Sequence, residues 1–267
     1  MMSNFSCNQG MKNQNIKGGE KVMKCPLYTK SIEENILKEI DNSGGQFTAE
    51  EHAYIFEKEY GKFFETKDSL LGWVIPQSTY SLLALNWLIQ YIKKNRFSRV
   101  LSMGAGNCVL EYLLKCAIPE CEVTAADFDS YFIDKANVFF PSIKSVIFDF
   151  FKDNITKLNS EFDLVVFFGS AYVMDDKQFV DLFRQIKENN VKQIIDFHGG
   201  CIPYSEMLRY FIGDILRRFG IIRSYRGKFT GYVRTKNELR GLYKKAGMKS
   251  IIEMHIASHR YVAIISF

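Results

Sequence analysis

The 267-residue sequence has no long hydrophobic run, and this absence excludes one class of protein. No apolar stretch approaches the roughly 20 residues that a helix needs to cross a bilayer. Residues 1–24 are rich in Asn, Lys, Gly and Gln and contain no apolar segment of the kind found in secretory signals. We therefore expect a cytoplasmic protein with no membrane partner, and residues 1–24 are predicted to be a disordered tail.

Closely spaced cysteine pairs are also missing. The six cysteines form no Cys-x-x-Cys pair, and most of them fall inside predicted strands or helices. We expect reduced, buried thiols, as is usual in a cytoplasmic protein. The cysteines are Cys7, Cys25, Cys108, Cys116, Cys121 and Cys201.

Acidic residues are scarce in one part of the chain. Residues 203–245 contain eleven Lys or Arg residues against three Asp or Glu residues, so this segment alone carries a net charge of +8. The whole chain carries +5, so the remainder is slightly acidic. The asymmetry favours an anionic partner, although solvated helix faces give the same pattern.

The N-terminal third is predicted to be helical. Two capping boxes begin at Ser31 and Thr48, and in each a hydroxyl and a glutamate three residues later satisfy the first backbone amides of a helix. A third helix is predicted over 78–94, after Pro76, from apolar residues at helical spacing. Residues 25–97 are therefore predicted to form a helical N-terminal extension.

Strand and helix patterns alternate from residue 98 onwards. Most predicted strands are almost entirely apolar, as over 164–168, which is typical of a parallel sheet buried on both faces. Only four residues separate the last two strands, and a connection this short requires an antiparallel hairpin. The pattern predicts an α/β domain over 98–267: a doubly wound, mostly parallel seven-stranded sheet with a C-terminal antiparallel hairpin and a helical insertion at about 203–228. Strands are predicted at 98–103, 121–127, 144–149, 162–169, 192–198, 249–255 and 260–267, and helices at 107–116, 130–138, 175–189, 204–219 and 235–246.

Two glycines end the first strand of this domain. Gly104 and Gly106 stand one residue apart, and an amphipathic helix starts directly after them. Only glycine lets the backbone approach a ligand this closely without a Cβ clash. Asp127 stands at the carboxyl end of the next strand, where a carboxylate can accept hydrogen bonds from a ribose diol. Together these features predict a nucleoside-binding half-domain.

The order of motifs resembles that of the class I S-adenosylmethionine-dependent methyltransferases, over about 98–267. Two positions depart from the family's pattern. Ser102 stands where the family usually has an acidic residue, placed to meet the methionine amino group, and Cys108 stands where it usually has a third glycine. The matching segments are Val100-Leu101-Ser102-Met103-Gly104-Ala105-Gly106, Val123-Thr124-Ala125-Ala126-Asp127-Phe128-Asp129, Phe148-Asp149-Phe150, Glu161-Phe162-Asp163-Leu164-Val165 and 235–248.

The resemblance implies S-adenosyl-L-methionine as the cofactor and methyl transfer as the reaction. It implies that Asp127 accepts hydrogen bonds from the ribose, with Asp129 as an alternative that can instead cap the following helix. It implies that Asp149 receives the adenine amino group. Residues 72–77 are predicted either to cover the methionine end of the cofactor or to form a turn that leads into a helix. The predicted cofactor-binding residues are Ser102, Met103, Gly104, Ala105, Gly106, Asp127, Phe128, Asp149, Phe150 and Gly169.

The acceptor is expected on the same edge of the sheet. His198 is predicted at the carboxyl end of a strand, where it can take a proton from an acceptor hydroxyl, and it is the candidate catalytic residue. A structural or acceptor-positioning role is the alternative. Tyr172, Arg226 and Arg234 are predicted to bind the substrate, the two arginines through an anionic group. No metal is predicted.

The expected acceptor is a small, anionic molecule that is methylated on oxygen. In this family, enzymes that methylate nucleobase amino groups commonly have prolines after the fourth strand, and residues 169–172 contain none. Nucleic acid is therefore not the expected partner, and no separate RNA-binding module is recognised. The sequence makes no prediction of an oligomeric state.

Two other functions stay open. A nicotinamide-dependent oxidoreductase shares the glycine turn, but the Gly-x-Gly-x-x-Gly pattern fails at Val109 and the closing hairpin is not expected in that class. A catalytically inactive, methyltransferase-like binding protein would account for the departures at Ser102 and Cys108.

Overall fold

The computed structural model describes residues 25–28, 54, 57, 58, 60–158, 161–218, 229–257 and 259–267. The predicted tail at 1–24, the helices predicted from Ser31 and Thr48, and Arg226 lie outside these residues. None of the helices in the described ranges combines the length and apolar character that crossing a bilayer requires.

Seven strands of the described chain form one sheet, and two more pair with each other. In chain order the strands are β1 (Cys25–Tyr28), β2 (Arg99–Met103), β3 (Glu122–Asp127), β4 (Lys144–Ile147), β5 (Leu164–Phe168), β6 (Gln193–Phe197), β7 (Phe229–Val233), β8 (Ser250–Ile256) and β9 (His259–Ser266). The large sheet has the order β4–β3–β2–β5–β6–β9–β8. Neighbouring strands from β4 to β6 are parallel, β9 is antiparallel to β6, and β8 is antiparallel to β9.

This sheet confirms the predicted α/β fold, its strand number and its C-terminal hairpin. The seven predicted strands differ from the observed bounds by at most two residues at either end. The agreement is good because most of these strands are buried on both faces, so a continuous apolar run marks each one. In β5, for example, residues 164–167 are almost completely buried.

Helices cover both faces of the large sheet. In chain order they are α1 (Lys67–Gln77), α2 (Thr79–Asn95), α3 (Val109–Ala117), α4 (Ser130–Phe139), α5 (Asp176–Glu188), α6 (Tyr204–Arg218) and α7 (Lys236–Lys245). Buried residues of α1 to α4 pack on one face of the sheet, and those of α5 and α7 pack on the other. Each layer therefore buries the apolar side of its helices against the strands, as a doubly wound fold requires.

The region predicted as a purely helical extension also contains a strand. β1 pairs antiparallel with β7, with Cys25 opposite Val233, and neither strand was expected from the sequence. The helix predicted over 78–94 is α2, and a further helix, α1, precedes it. α1 includes residues 72–77, which places Pro76 near its end. Residues 72–77 are thus part of a helix and not the turn that was one of the two predictions for them. The side chain of Trp73 stacks on Tyr60 and Phe63.

The amino edge of the sheet is fixed by one buried carboxylate. Oδ2 of Asp163 accepts hydrogen bonds from the backbone amides of Ser98 and Arg99, at 2.9 and 3.0 Å, and from the Ser98 hydroxyl. Its Oδ1 pairs with Lys192 at 2.7 Å. Burial by itself raises the pKa of Asp163, but these partners outweigh it and hold the pKa well below its ordinary value. The start of β2 is thereby anchored, and its far end carries the glycine turn.

Candidate active site

The glycine turn joins β2 to α3. Gly104 and Gly106 both have left-handed backbones, with φ of 72° and 55°. The backbone amides of Gly104 and Ala105 donate to the carbonyl of Ala126, so the turn rests on the end of β3. Cys108, where the family usually has a third glycine, keeps the left-handed conformation with φ of 59°. The backbone at Cys108 therefore follows the same path that a glycine would take, although the residue differs from the family's pattern.

The two glycines have different surroundings. A Cβ built on Gly104 would lie 2.3 Å from the Cβ of Ser170 and 3.2 Å from the ring of Phe150, so only glycine fits there. A Cβ built on Gly106 would have no described atom within 4 Å, and the same is true of Gly169, whose φ is 74°. The turn is thus close-packed at its first glycine and open at its second.

Asp127 links β3 to this turn. The backbone amide of Gly106 donates to Oδ2 of Asp127 at 2.8 Å, and the amide of Asp129 donates to Oδ1 at 3.0 Å. Asp129 accepts from the amide of Tyr131 and caps α4, which is the alternative role anticipated for it. Phe128 lies between the two aspartates and is partly buried. Of the two acids, Asp127 is the one that contacts the glycine turn.

The segment after β4 brings an aromatic ring to the same place. The Phe150 ring packs against Phe148 and Phe167 and lies next to Gly104. Asp149 accepts a hydrogen bond from the amide of Phe151 and pairs with exposed Lys152 at 3.1 Å. The predicted cofactor-binding residues at the ends of β2, β3, β4 and β5 are therefore gathered at one edge of the sheet.

A buried glutamate that the sequence analysis did not single out lies beside Ser102. The Ser102 hydroxyl donates to Oε1 of Glu111 at 2.6 Å, and Glu111 is 4% exposed. Burial raises the pKa of Glu111 to about 7, the Ser102 hydrogen bond lowers it in part, and nearby Asp127 raises it. Charged residues on amphipathic helices usually face water, so no local pattern indicates that α3 turns this one inwards.

His198 follows β6 and belongs to a buried polar group. Its Nδ1 lies 3.0 Å from Oδ2 of Asp196, and the Tyr243 hydroxyl donates to the same oxygen. Burial, and then the neighbouring Asp196, raise the pKa of Tyr243 well above its ordinary value. A carboxylate oxygen accepts hydrogen bonds, so the tautomer of His198 that matches Asp196 carries its N–H on Nδ1 and leaves Nε2 as an acceptor. Nε2 has no hydrogen-bond partner among the described residues, and the ring is buried beside Phe179.

Tyr172 is held among three glycines beside this group. A Cβ on Gly231 would lie 2.3 Å from the Tyr172 ring, and one on Gly200 would lie 3.0 Å from its Cβ. Gly199 faces the other side of the ring at slightly longer range. Burial raises the pKa of the Tyr172 hydroxyl. Gly231 on β7 and the two glycines that directly follow His198 thus surround this predicted substrate residue.

Arg234 is buried, and its Nε and Nη2 are engaged, whereas its Nη1 has no hydrogen-bond partner among the described residues. It donates to Oδ1 of Asp176 at 3.1 Å and to the carbonyl of Met174 at 2.6 Å, and its guanidinium lies over the rings of Phe179 and Tyr232. This predicted anion-binding residue therefore ties the end of β7 to the start of α5. The other predicted arginine, Arg226, is outside the described residues.

Within the described residues, no group of three or more His, Cys, Asp or Glu side chains is placed to hold a metal ion.

A cleft of about 470 Å³ lies at the opposite, amino edge of the sheet, next to Arg99, Lys115 and Lys144. In open α/β sheets ligands bind at the carboxyl edge, so the cleft is not the candidate site.

The strand order, the glycine turn after β2 and the closing hairpin define the fold of the class I S-adenosylmethionine-dependent methyltransferases. Solved structures of such enzymes superimpose on the chain. Human N-acetylserotonin methyltransferase in complex with S-adenosylmethionine is 15% identical, with a TM-score of 0.51 over 87% of this chain and 64% of that one. An O-methyltransferase family protein from Burkholderia thailandensis is 12% identical, with a TM-score of 0.55 over 88% and 66%. The mitomycin 7-O-methyltransferase MmcR is 15% identical, with a TM-score of 0.51 over 87% and 65%.

The chain thus spans just under two thirds of the length of these three proteins. No protein-family model matches its sequence. No curated protein matches it either. The likeness therefore lies in the fold.

Proposed function

We propose that this protein is an S-adenosylmethionine-dependent methyltransferase that methylates an oxygen of a small molecule. The observation that carries the proposal is the meeting of the left-handed Gly104–Gly106 turn and Asp127 at the carboxyl edge of the sheet. The S-adenosylmethionine bound to the human enzyme supports the cofactor, and the similarity to two O-methyltransferases supports methylation on oxygen.

The residues present fit this cofactor. The space beside Gly106 and Gly169 admits a ligand against the backbone, and the acceptor-only carboxylate of Asp127 suits a ribose diol. Phe128 and Phe150 supply apolar surface for the adenine, and Asp149 supplies an acceptor for its amino group. When bound, the cofactor's sulfonium supplies an electrophilic methyl group.

The protein's own contribution is to position the acceptor and to remove its proton. Nε2 of His198 would take the proton of the acceptor hydroxyl, while Asp196 and Tyr243 hold the ring and its tautomer. Because His198 is buried in this structure, the acceptor must displace a neighbouring segment to reach it. Tyr172, fixed by its three glycines, would form one wall of the acceptor site.

We further propose that the acceptor carries a phosphate or a carboxylate. The net charge of +8 over residues 203–245 supports this proposal. Among the described residues of this segment, Arg234 is engaged by Asp176, and Lys236 and Arg240 are engaged by Glu253. Arg226 and Arg234 remain the first choices for the anion site, Arg234 through its Nη1, which has no hydrogen-bond partner among the described residues.

Binding and turnover test this function separately. Isothermal titration should show that S-adenosylmethionine and S-adenosylhomocysteine bind, whereas NADH, the probe for an oxidoreductase, should not. Release of S-adenosylhomocysteine should then be followed with a panel of hydroxyl compounds, each offered in a phosphorylated or carboxylated form and in a neutral form. Turnover only with neutral acceptors would remove the anionic-acceptor proposal. Binding of the cofactor without any turnover would favour an inactive binding protein.

A further inference from the structure

The loop after β5 reaches the end of β2 through one serine side chain. Ser170 precedes a 3₁₀ turn over Ala171–Val173, and its hydroxyl donates to the carbonyl oxygen of Met103, 67 positions earlier in the chain. A serine before a helical turn commonly accepts a hydrogen bond from the amides that follow it. Ser170 makes no such capping bond. Its side chain therefore connects two strands and does not stabilise its own turn.

The backbone of Gly169 directs this side chain towards β2. Gly169 has a left-handed φ of 74°, and its amide donates to the carbonyl of Phe197 at 2.9 Å. The Cβ of Ser170 then packs on Gly104 so closely that a Cβ built on Gly104 would lie 2.3 Å from it. The first glycine of the turn thus makes room for Ser170, which is why it is close-packed while Gly106 is open.

The 3₁₀ turn carries Tyr172, the proposed wall of the acceptor site, and its far end is held as well. The carbonyl of Met174 accepts a hydrogen bond from Nη2 of Arg234 at 2.6 Å. Ala171 and Met174 are completely buried. Residues 170–174 are therefore attached to the glycine turn at one end and to the end of β7 at the other, with Tyr172 between the two attachments.

We propose that Ser170 is a positioning residue that fixes the acceptor site relative to the methyl group of the cofactor. This inference rests on the proposed function. In that reaction the acceptor oxygen bonds to the methyl carbon as the carbon–sulfur bond breaks, the electron pair of the broken bond stays on sulfur, and the acceptor's proton passes to Nε2 of His198. Oxygen, carbon and sulfur must lie in line, and a displacement of about 1 Å can cost roughly 100-fold in rate. The bond between the two loops should therefore affect the rate more than the binding of either ligand.

The chain offers a matched control at the opposite edge of the same two strands. The hydroxyl of Ser98, just before β2, donates to Oδ2 of Asp163, just before β5, at 2.9 Å. Ser98→Ala and Ser170→Ala thus each remove one hydroxyl that joins β2 to β5. Both should lower the midpoint of urea denaturation. Of the two serines, only Ser170 lies between the proposed cofactor and acceptor sites.

Kinetics and binding separate a positioning role from a purely structural one. With the acceptor found in the turnover panel, Ser170→Ala should lower kcat by about tenfold or more and change the Kd of S-adenosylhomocysteine by less than about twofold. Ser98→Ala should change neither value. Ser170→Thr keeps the hydroxyl, so it should retain more of the wild-type kcat than Ser170→Ala does.

Amide hydrogen exchange tests the connection without any ligand. The amides of Gly104 and Ala105 donate to the carbonyl of Ala126, and the amide of Val173 donates to the carbonyl of Ser170. In the free protein, Ser170→Ala should speed exchange at these three amides, because both loops lose the bond that joins them. Ser98→Ala should leave their exchange unchanged.

The outcomes that overturn this inference differ from those that overturn the function. An unchanged kcat in Ser170→Ala, or an equal loss of kcat in the two alanine variants, shows that Ser170 has only a structural role. Unchanged exchange at all three amides in Ser170→Ala shows that the hydroxyl does not hold the two loops together. If the wild-type protein shows no binding of S-adenosylhomocysteine or no turnover, the proposed function fails and the positioning role fails with it, whatever the exchange rates.

Discussion

At the scale of single residues, Asp127 has both a structural and a proposed binding role. It accepts backbone hydrogen bonds from the glycine turn and from Asp129, and its carboxylate is the proposed partner of the ribose. Asp127→Asn keeps the shape of the side chain and replaces one acceptor by a donor. We expect it to weaken binding of S-adenosylhomocysteine and of 5′-methylthioadenosine alike, by about tenfold or more in titration.

Asp129→Asn is the matched control for this prediction. Asparagine also caps helices well, so α4 should be kept and both affinities should stay close to wild type. If the affinities instead fall with Asp129→Asn and hold with Asp127→Asn, the ribose assignment moves to Asp129.

His198 and its partners give a second prediction at this scale. His198→Asn should lower kcat by roughly 10²–10⁴-fold with an acceptor hydroxyl and leave the Kd of S-adenosylhomocysteine unchanged. Tyr243→Phe removes the hydroxyl that holds Asp196, so it should lower kcat less and shift its pH profile. Tyr261→Phe removes a similarly buried hydroxyl that donates to Glu253, and it should leave that profile unchanged. Full activity of His198→Asn would assign this histidine a structural role.

At the scale of elements, the glycine turn offers two substitutions at left-handed positions with different packing. Gly104→Ala adds a methyl group 2.3 Å from Ser170, whereas Gly106→Ala adds one where no described atom lies within 4 Å. We expect the first to lower the free energy of unfolding by about 2–4 kcal/mol and the second by about 1–2 kcal/mol, measured by urea denaturation. Ser170→Gly in the Gly104→Ala background should recover part of the difference. Equal losses at the two glycines would contradict the packing described here.

The strands of the large sheet could be predicted from the sequence, but the small sheet could not. Apolar runs mark β2, β3, β5 and β6 because burial on both faces leaves few polar residues inside them. β7 contains Gly231, and its partner β1 contains Pro26. Both residues disfavour strands, so only the pairing of distant segments forms this sheet.

The candidate site could likewise be predicted only in part from the sequence. Gly104, Gly106 and Asp127 follow from local spacing along the chain. Glu111 does not, because its burial depends on how α3 packs against α2 and β5. The pairing of Arg234 with Asp176 likewise depends on tertiary contacts between β7 and α5. Sequence spacing located the turn, and packing decided which charged groups lie inside.

At the scale of the whole molecule, Asp163 links stability to pH. Its pKa is lowered in the folded protein, so its contribution is present at neutral pH and is lost as the pH falls below about 4. We expect Asp163→Asn to lower the free energy of unfolding at pH 7 by about 2–4 kcal/mol, and to differ less from wild type in acid.

Glu161→Gln is the control for this prediction. Glu161 pairs with Arg99 at the protein surface, and its side chain is 85% exposed, so its loss should cost less than about 1 kcal/mol at any pH. An Asp163→Asn effect that is equally large in acid would show that the loss comes from packing and not from the carboxylate.

The pairing of β1 with β7 has a consequence for the order in which the protein is assembled. The paired residues lie about 200 positions apart, and the ribosome releases residues 25–28 long before β7 is made. Closing so long a loop is favourable only after the central sheet has brought the two segments together. The wall that presents Gly231 to Tyr172 is therefore completed late in biosynthesis, and one of its two strands comes from the earliest-synthesised part of the described polypeptide.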